Sequence, residues 1–154
     1  MAVVLVTGMS GAGKSTVLAG LAARGHSVVD TDVGDWIERD PGSGERLWRV
    51  DRVTALLDGH TTGHLFVAGT VANQGRLLPR FDAVVLLSAP LEVLLARVAT
   101  RTTNDFGKTA AERDAITADV AAVEPLLRRA ATVALDTRRP LPEVVSAVLR
   151  VAGA

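Results

Sequence analysis

Five short apolar runs punctuate the chain, at residues 3–7, 27–30, 65–68, 83–88 and 132–136. Runs this short and this uniformly apolar suit strands covered on both faces. Residues 14–23, 44–58, 91–100, 110–129 and 141–151 carry helical patterning instead. The alternation predicts a mostly parallel sheet with right-handed crossovers, packed between helices in a three-layer α/β/α arrangement. Ligands of such sheets bind outside the carboxyl ends of the strands, so the residues just after each run are the ones to inspect. Pro125 interrupts the 110–129 pattern and is expected to kink it or divide it into two helices. Residues 101–109 are polar, contain Gly107 and separate two helical stretches, which marks a candidate mobile lid. No repeat or long linker divides the 154 residues, so a single domain over 1–154 is expected.

Composition narrows the partners. Seventeen basic residues balance seventeen acidic ones, which leaves no global field to draw in nucleic acid or an anionic membrane. Only two Trp and three Phe are available for base stacking. Cysteine is absent, which excludes disulfides and thiolate metal sites. The first apolar run begins at Val3 with no basic segment before it, and no run approaches the ~18 residues that span a bilayer. A soluble, cytoplasmic protein, monomeric or homodimeric, acting on a small molecule is expected.

The chemistry concentrates behind the first run. Gly8-Met9-Ser10-Gly11-Ala12-Gly13-Lys14-Ser15 spells G-x-x-x-x-G-K-S between a strand and a helix. Glycines let such a turn wrap with its N–H groups inward, and the helix start adds positive potential for phosphate oxygens. Gly8, Ser10, Gly11, Ala12, Gly13, Lys14, Ser15 and Thr16 are therefore nucleotide-binding candidates. Lys14 is placed to reach the β- and γ-phosphates of ATP, and the Ser15 hydroxyl to ligate Mg²⁺.

The second run ends in Asp30-Thr31-Asp32. Two carboxylates at the same mouth can divide the labour, Asp30 holding Mg²⁺ through water and Asp32 orienting an acceptor hydroxyl and taking its proton. A helix N-cap explains the same residues. The third run is followed by Ala68-Gly69-Thr70, where many phosphate-loop ATPases carry an acid, which moves the metal role towards Asp30. Asn73-Gln74-Gly75-Arg76 offers donors to an acceptor, or forms an ordinary polar turn. Arg97, Arg101 and Lys108 surround the candidate lid, where cations would neutralise charge developing on a transferring phosphoryl group. Arg97 also reads as a solvated helix-face residue. Arg138 and Pro140, after the last run, could flank an adenine ring or simply make a turn. His60 and His64 stand four apart, but Gly63 and two threonines between them suggest a loop and not a helical zinc site. Trp36 and Trp48 bracket a region read as helical, with Arg39, Arg46, Arg49 and Arg52 as anchors or as salt-bridged surface residues.

Together these motifs resemble the nucleoside monophosphate kinase group of phosphate-loop proteins, and most closely its shikimate kinase-like branch. The glycine-rich loop, the strand end Val28-Val29-Asp30-Thr31-Asp32, and the passage Glu124-Pro125-Leu126-Leu127-Arg128-Arg129 with Leu135-Asp136-Thr137 carry the likeness. It implies a five-stranded parallel sheet of order 2-3-1-4-5 and Mg·ATP-dependent phosphoryl transfer to a hydroxyl. It further implies an acceptor region near 32–62, a lid near 101–109, and acceptor contacts from Asp32 and from Arg128 on a carboxylate. The acceptor-domain arginine corresponds loosely to Arg49 or Arg52. The branch's glycine run becomes Ala68-Gly69-Thr70, with Gly69 and Asn73 as remaining acceptor contacts. Its Arg-Pro-Leu lid segment is replaced by Thr103-Asn104-Asp105-Phe106-Gly107-Lys108. Two other readings remain: a nucleoside monophosphate kinase anchoring phosphate through Arg49, Arg52 and Arg76, and a nucleotide-binding regulator with little turnover.

Overall fold

The computed structural model describes residues 1–101 and 106–153. Five parallel strands form the central sheet: β1 (Val3–Thr7), β2 (Ser27–Asp30), β5 (Leu65–Ala68), β6 (Ala83–Ser88) and β7 (Val133–Asp136). They lie in the order β2-β5-β1-β6-β7, which is 2-3-1-4-5 when only these five are counted. β1 is central and buried along its whole length. Its side chains alternate between two cores. Val4 and Val6 join Leu21 of α1 (Lys14–Ala23) and Val148 of α5 (Leu141–Val151). Val3 and Leu5 join Val53 and Leu57 of α2 (Val50–Gly59) with Trp48 and Phe81. No helix among the described residues is long and apolar enough to cross a membrane.

Two sequence expectations are corrected. Residues 44–58 are not one helix. They hold β4 (Arg46–Trp48), paired antiparallel with β3 (Ile37–Arg39), and then α2. The turn between the strands closes on itself, with Gly44 N donating to Asp40 O at 2.8 Å and Ser43 N to Asp40 Oδ2 at 2.9 Å. Trp48 decides the matter: it is fully buried beneath the hairpin, and burying an indole outweighs weak helix propensity.

Pro125 neither ends nor divides α4 (Ala110–Ala130), which continues through it after α3 (Leu91–Thr100). The bond it removes would have reached the carbonyl of Ala121, and both residues are exposed, so water can satisfy that oxygen. A capping box fixes the start of α4, with Glu112 N donating to Thr109 Oγ1 at 3.1 Å.

Candidate active site

The glycine-rich loop joins the central strand to α1, so its N–H groups stand at the carboxyl edge of the sheet. Gly11 sits at φ 83°, and a Cβ there would lie 2.7 Å from Leu94 O. Gly13, at φ 103°, caps α1 in the left-handed conformation. Lys14 folds back over the loop, its Nζ donating to Gly8 O and Met9 O. Burial is the largest influence on that ammonium and lowers its pKa to about 8. Asp32 and Asp30 oppose the shift, while Arg46 and Arg101 add to it.

A relay that sequence reasoning missed braces the loop from behind. Thr70 Oγ1 donates to Gly8 O at 2.6 Å and accepts from Gly8 N at 3.1 Å. With that proton committed, Thr7 Oγ1 must donate to Thr70 Oγ1 across 3.0 Å. Thr7 in turn accepts from the buried amide of Gln74 at 3.3 Å. The signal in the sequence was Thr70 standing where an acid was sought, but its partner Gln74 was read only as part of a polar turn. Thr70→Val should cost about 1–3 kcal/mol, because it strands the Gly8 peptide and the Thr7 hydroxyl. Thr70→Ser should cost far less, as chemical denaturation of both variants will reveal.

The Asp30-Thr31-Asp32 segment leaves the sheet with alternating side chains. Thr31 is buried and its hydroxyl donates to Ala68 O at 2.7 Å, which turns both carboxylates to the surface. Asp30 Oδ2 accepts from Ser15 Oγ at 2.8 Å, and its Oδ1 from Asp32 N at 3.0 Å. The helix-cap alternative fails, since no helix follows Asp32. Asp32 Oδ1 accepts from Arg46 Nη2 at 2.7 Å. Arg46 is the second residue the sequence did not single out. Read as part of a helix with Arg49 and Arg52, it was not distinguished from them; the hairpin sends it alone to Asp32.

Other candidates are divided. Arg97 is no solvated face residue: it donates to Gly11 O at 3.2 Å and to Thr137 Oγ1 and O at 2.8 Å each, tying the glycine-rich loop to the loop after β7. Arg101 lies within electrostatic reach of Lys14 and donates to Phe106 O at 2.9 Å. Lys108 Nζ donates to Arg101 O at 2.7 Å, so it holds the backbone beside the site. Residues 102–105 of the candidate lid lie outside the described residues. Arg49 pairs with Asp35 and Glu38, and Arg52 with Asp35, in a network of their own. Asn73 spends both ends of its amide on Trp48, accepting from its N at 2.8 Å and donating to its O at 3.1 Å. Gly69 faces the packing of Trp48, whose ring would stand 3.2 Å from an added Cβ. Ser10 is half-buried, Ala12 buried, and Thr16 exposed on the first turn of α1.

Arg128, expected to bind an acceptor carboxylate, lies in the last turn of α4. It donates to Ser88 Oγ at 2.7 Å and Glu124 Oε1 at 3.0 Å. There it lines a cavity of about 460 Å³ with Leu91, Asp136 and Arg138, between α4 and the ends of β6 and β7. Arg138 grips Asp136 through its side chain, which lowers the pKa of that carboxyl to about 2. Pro140 is exposed at the start of α5. His64 Nδ1 accepts from Ala2 N and His60 bonds Gly63 O, and neither belongs to a metal cluster among the described residues.

A parallel sheet of this order, with a glycine-rich lysine-bearing loop after its central strand, is the P-loop nucleotide-binding fold. The chain belongs to the AAA domain family, whose profile matches residues 4–118. No curated protein matches its sequence. Among solved structures, shikimate kinase from Acinetobacter baumannii in complex with shikimate is similar at TM-score 0.69 and 21% identity, over 97% of this chain and 92% of that one. A gluconokinase from Sinorhizobium meliloti gives TM-score 0.60 and 22% identity, over 99% and 91%. Deoxyadenosine kinase from M. mycoides with bound dATP gives 0.61 and 10%, over the whole of both chains. At such identities the likeness establishes the common fold.

Proposed function

We propose that the protein is a cytoplasmic kinase that transfers the γ-phosphoryl group of Mg·ATP to a hydroxyl of a small-molecule acceptor. One observation carries this reading: beside the glycine-rich loop that Lys14 covers, Ser15 Oγ meets Asp30 Oδ2 at 2.8 Å and Asp30 Oδ1 meets Asp32 N at 3.0 Å, so the loop, its hydroxyl and both carboxylates share one mouth. A phosphate-gripping cation, a metal-type pair, a carboxylate with one oxygen open and a second cation meet at one mouth. Phosphoryl transfer asks mainly for positioning and for charge stabilisation, and this set supplies both.

Ser15 and Asp30 suit Mg²⁺. Their oxygens touch at 2.8 Å, and a hydroxyl and a carboxylate are hard donors that leave the other positions to water and phosphate. Bound there, the ion would screen the β- and γ-phosphate oxygens and help charge pass to the leaving group. Lys14 would turn from the carbonyls of Gly8 and Met9 to the phosphates. Asp32 would accept the acceptor's proton as its oxygen bonds to the γ-phosphorus and the β–γ bridging bond breaks, releasing ADP. Arg101 would face the charge that develops between them. Arg97 and the loop bearing Thr137, Arg138 and Pro140 would border the base.

The three fold relatives are named for three different acceptors, so the acceptor must be sought with this chain. Arg49 and Arg52 pair with exposed carboxylates that a phosphate can displace, so nucleoside monophosphates belong among the acceptors tried. ADP release should be followed with Mg·ATP and a panel of sugar acids, hydroxylated carboxylic acids, nucleosides and nucleoside monophosphates. Stimulation by a hydroxyl acceptor is expected. Nucleotide-dependent thermal stabilisation with no stimulation by any acceptor would favour a regulator, and no stabilisation by any triphosphate would remove the reading altogether.

A further inference from the structure

We infer that Arg46, on the β3–β4 hairpin, is a positioning residue that holds Asp32 by Oδ1 so that Oδ2 meets the acceptor hydroxyl. The inference rests on the kinase reading above and adds to it the device that aims the proton acceptor.

The two residues are locked relative to each other through the backbone. Thr31, which precedes Asp32, takes a hydrogen bond from the Trp48 indole N–H at 3.0 Å. Trp48 stands two residues beyond Arg46 and is fully buried. Its main-chain N and O are held by Asn73, and Arg46 O accepts from Ala72 N at 3.1 Å. Asp32 N is fixed to Asp30 Oδ1. The loop after β5, the hairpin and the end of β2 thus form one frame. Across it Arg46 reaches Asp32 at 2.7 Å.

Stability does not account for this pair. Both side chains are more than a third exposed, at 41% and 37%, and such pairs add little to folding. Orientation does. A carboxylate has two equivalent oxygens and turns freely about its terminal torsion, so a donor fixed on one oxygen selects the other. Asp32 Oδ2 takes no hydrogen bond from the described residues. Asp32 is also attracted to Lys14, and a carboxylate that swung to that ammonium would block the phosphate end of the site. Arg46 holds it on the acceptor side. When the hydroxyl oxygen bonds to the γ-phosphorus and ADP departs, the proton passes to Oδ2.

Arg46→Met and Arg46→Lys test this in the full chain, alone and combined with Asp32→Asn. With the best acceptor of the panel, Arg46→Met should lower kcat about 10- to 100-fold while nucleotide affinity stays within about twofold. Arg46→Lys should recover most of kcat, since one donor suffices to hold one oxygen. In the Asp32→Asn background Arg46→Met should cost little more, because the group it aims is already gone. Wild-type kcat in Arg46→Met, or an equal loss with and without Asp32, overturns the inference and leaves the kinase reading intact. A wild type with no acceptor-dependent ADP release overturns both.

Discussion

Replacing Lys14 by Met should lower turnover about 10³-fold, the scale on which loss of one preorganised donor to developing negative charge is felt. Lys14 is one of only two lysines in the chain and the only side-chain cation bonded to the glycine-rich loop's Gly8 and Met9 carbonyls among the described residues. In the nucleotide-free protein its ammonium rests on those carbonyls with its pKa lowered to about 8, chiefly by burial. The unfolded chain keeps this lysine near 10.5. Between these values the unfolded state binds more protons, so this group makes folding more favourable as pH rises from about 8 to 10.5; below 8 its unfavourable contribution is present in full. A bound triphosphate reverses the balance, since its oxygens favour the charged amine and raise the pKa again. Nucleotide binding near pH 8.5 should therefore take up a proton and weaken as pH rises further. Calorimetry in two buffers of different ionisation heat will detect this uptake, and Lys14→Met should abolish it.

The second large effect is expected at Asp32. Asp32→Asn keeps an oxygen for Arg46 yet removes a proton acceptor, and should lower kcat by about 10²-fold or more while leaving nucleotide affinity unchanged. Single-turnover kinetics with saturating ATP isolate the chemical step. Unaltered kcat would reduce Asp32 to an orienting role. The prediction separates Asp32 from Asp30, whose replacement should weaken the magnesium-dependent part of nucleotide binding, because Asp30 shares its Oδ2 with Ser15.

What could be read along the chain follows from where the information is local. The glycine-rich loop is written in consecutive residues, and each of the five sheet strands holds a short apolar stretch, so both were legible. The hairpin was not. Its identity depends on Trp48 reaching Thr31 and Asn73, residues 17 and 25 positions away, and no helical or strand period inside 37–48 reports that contact. Misreading it hid Arg46, because a helix would have grouped Arg46 with Arg49 and Arg52. Thr70 was seen as a missing acid, when its partner is a peptide group 62 residues earlier. Arg128 was given a role by family likeness, and its bonds to Ser88 and Glu124 depend on where the turn of α4 points it. Pro125 was judged by its own chemistry, while solvent at Ala121 decides whether it breaks the helix.

The self-contained turn at residues 40–44 bonds mainly to itself and to the adjoining hairpin, through Asp40, Ser43 and Gly44. Changes in its length or composition would reach the catalytic machinery only through the stem that Trp48 pins in place. Insertions and substitutions at this tip should therefore be tolerated, leaving the parallel sheet and its glycine-rich loop undisturbed.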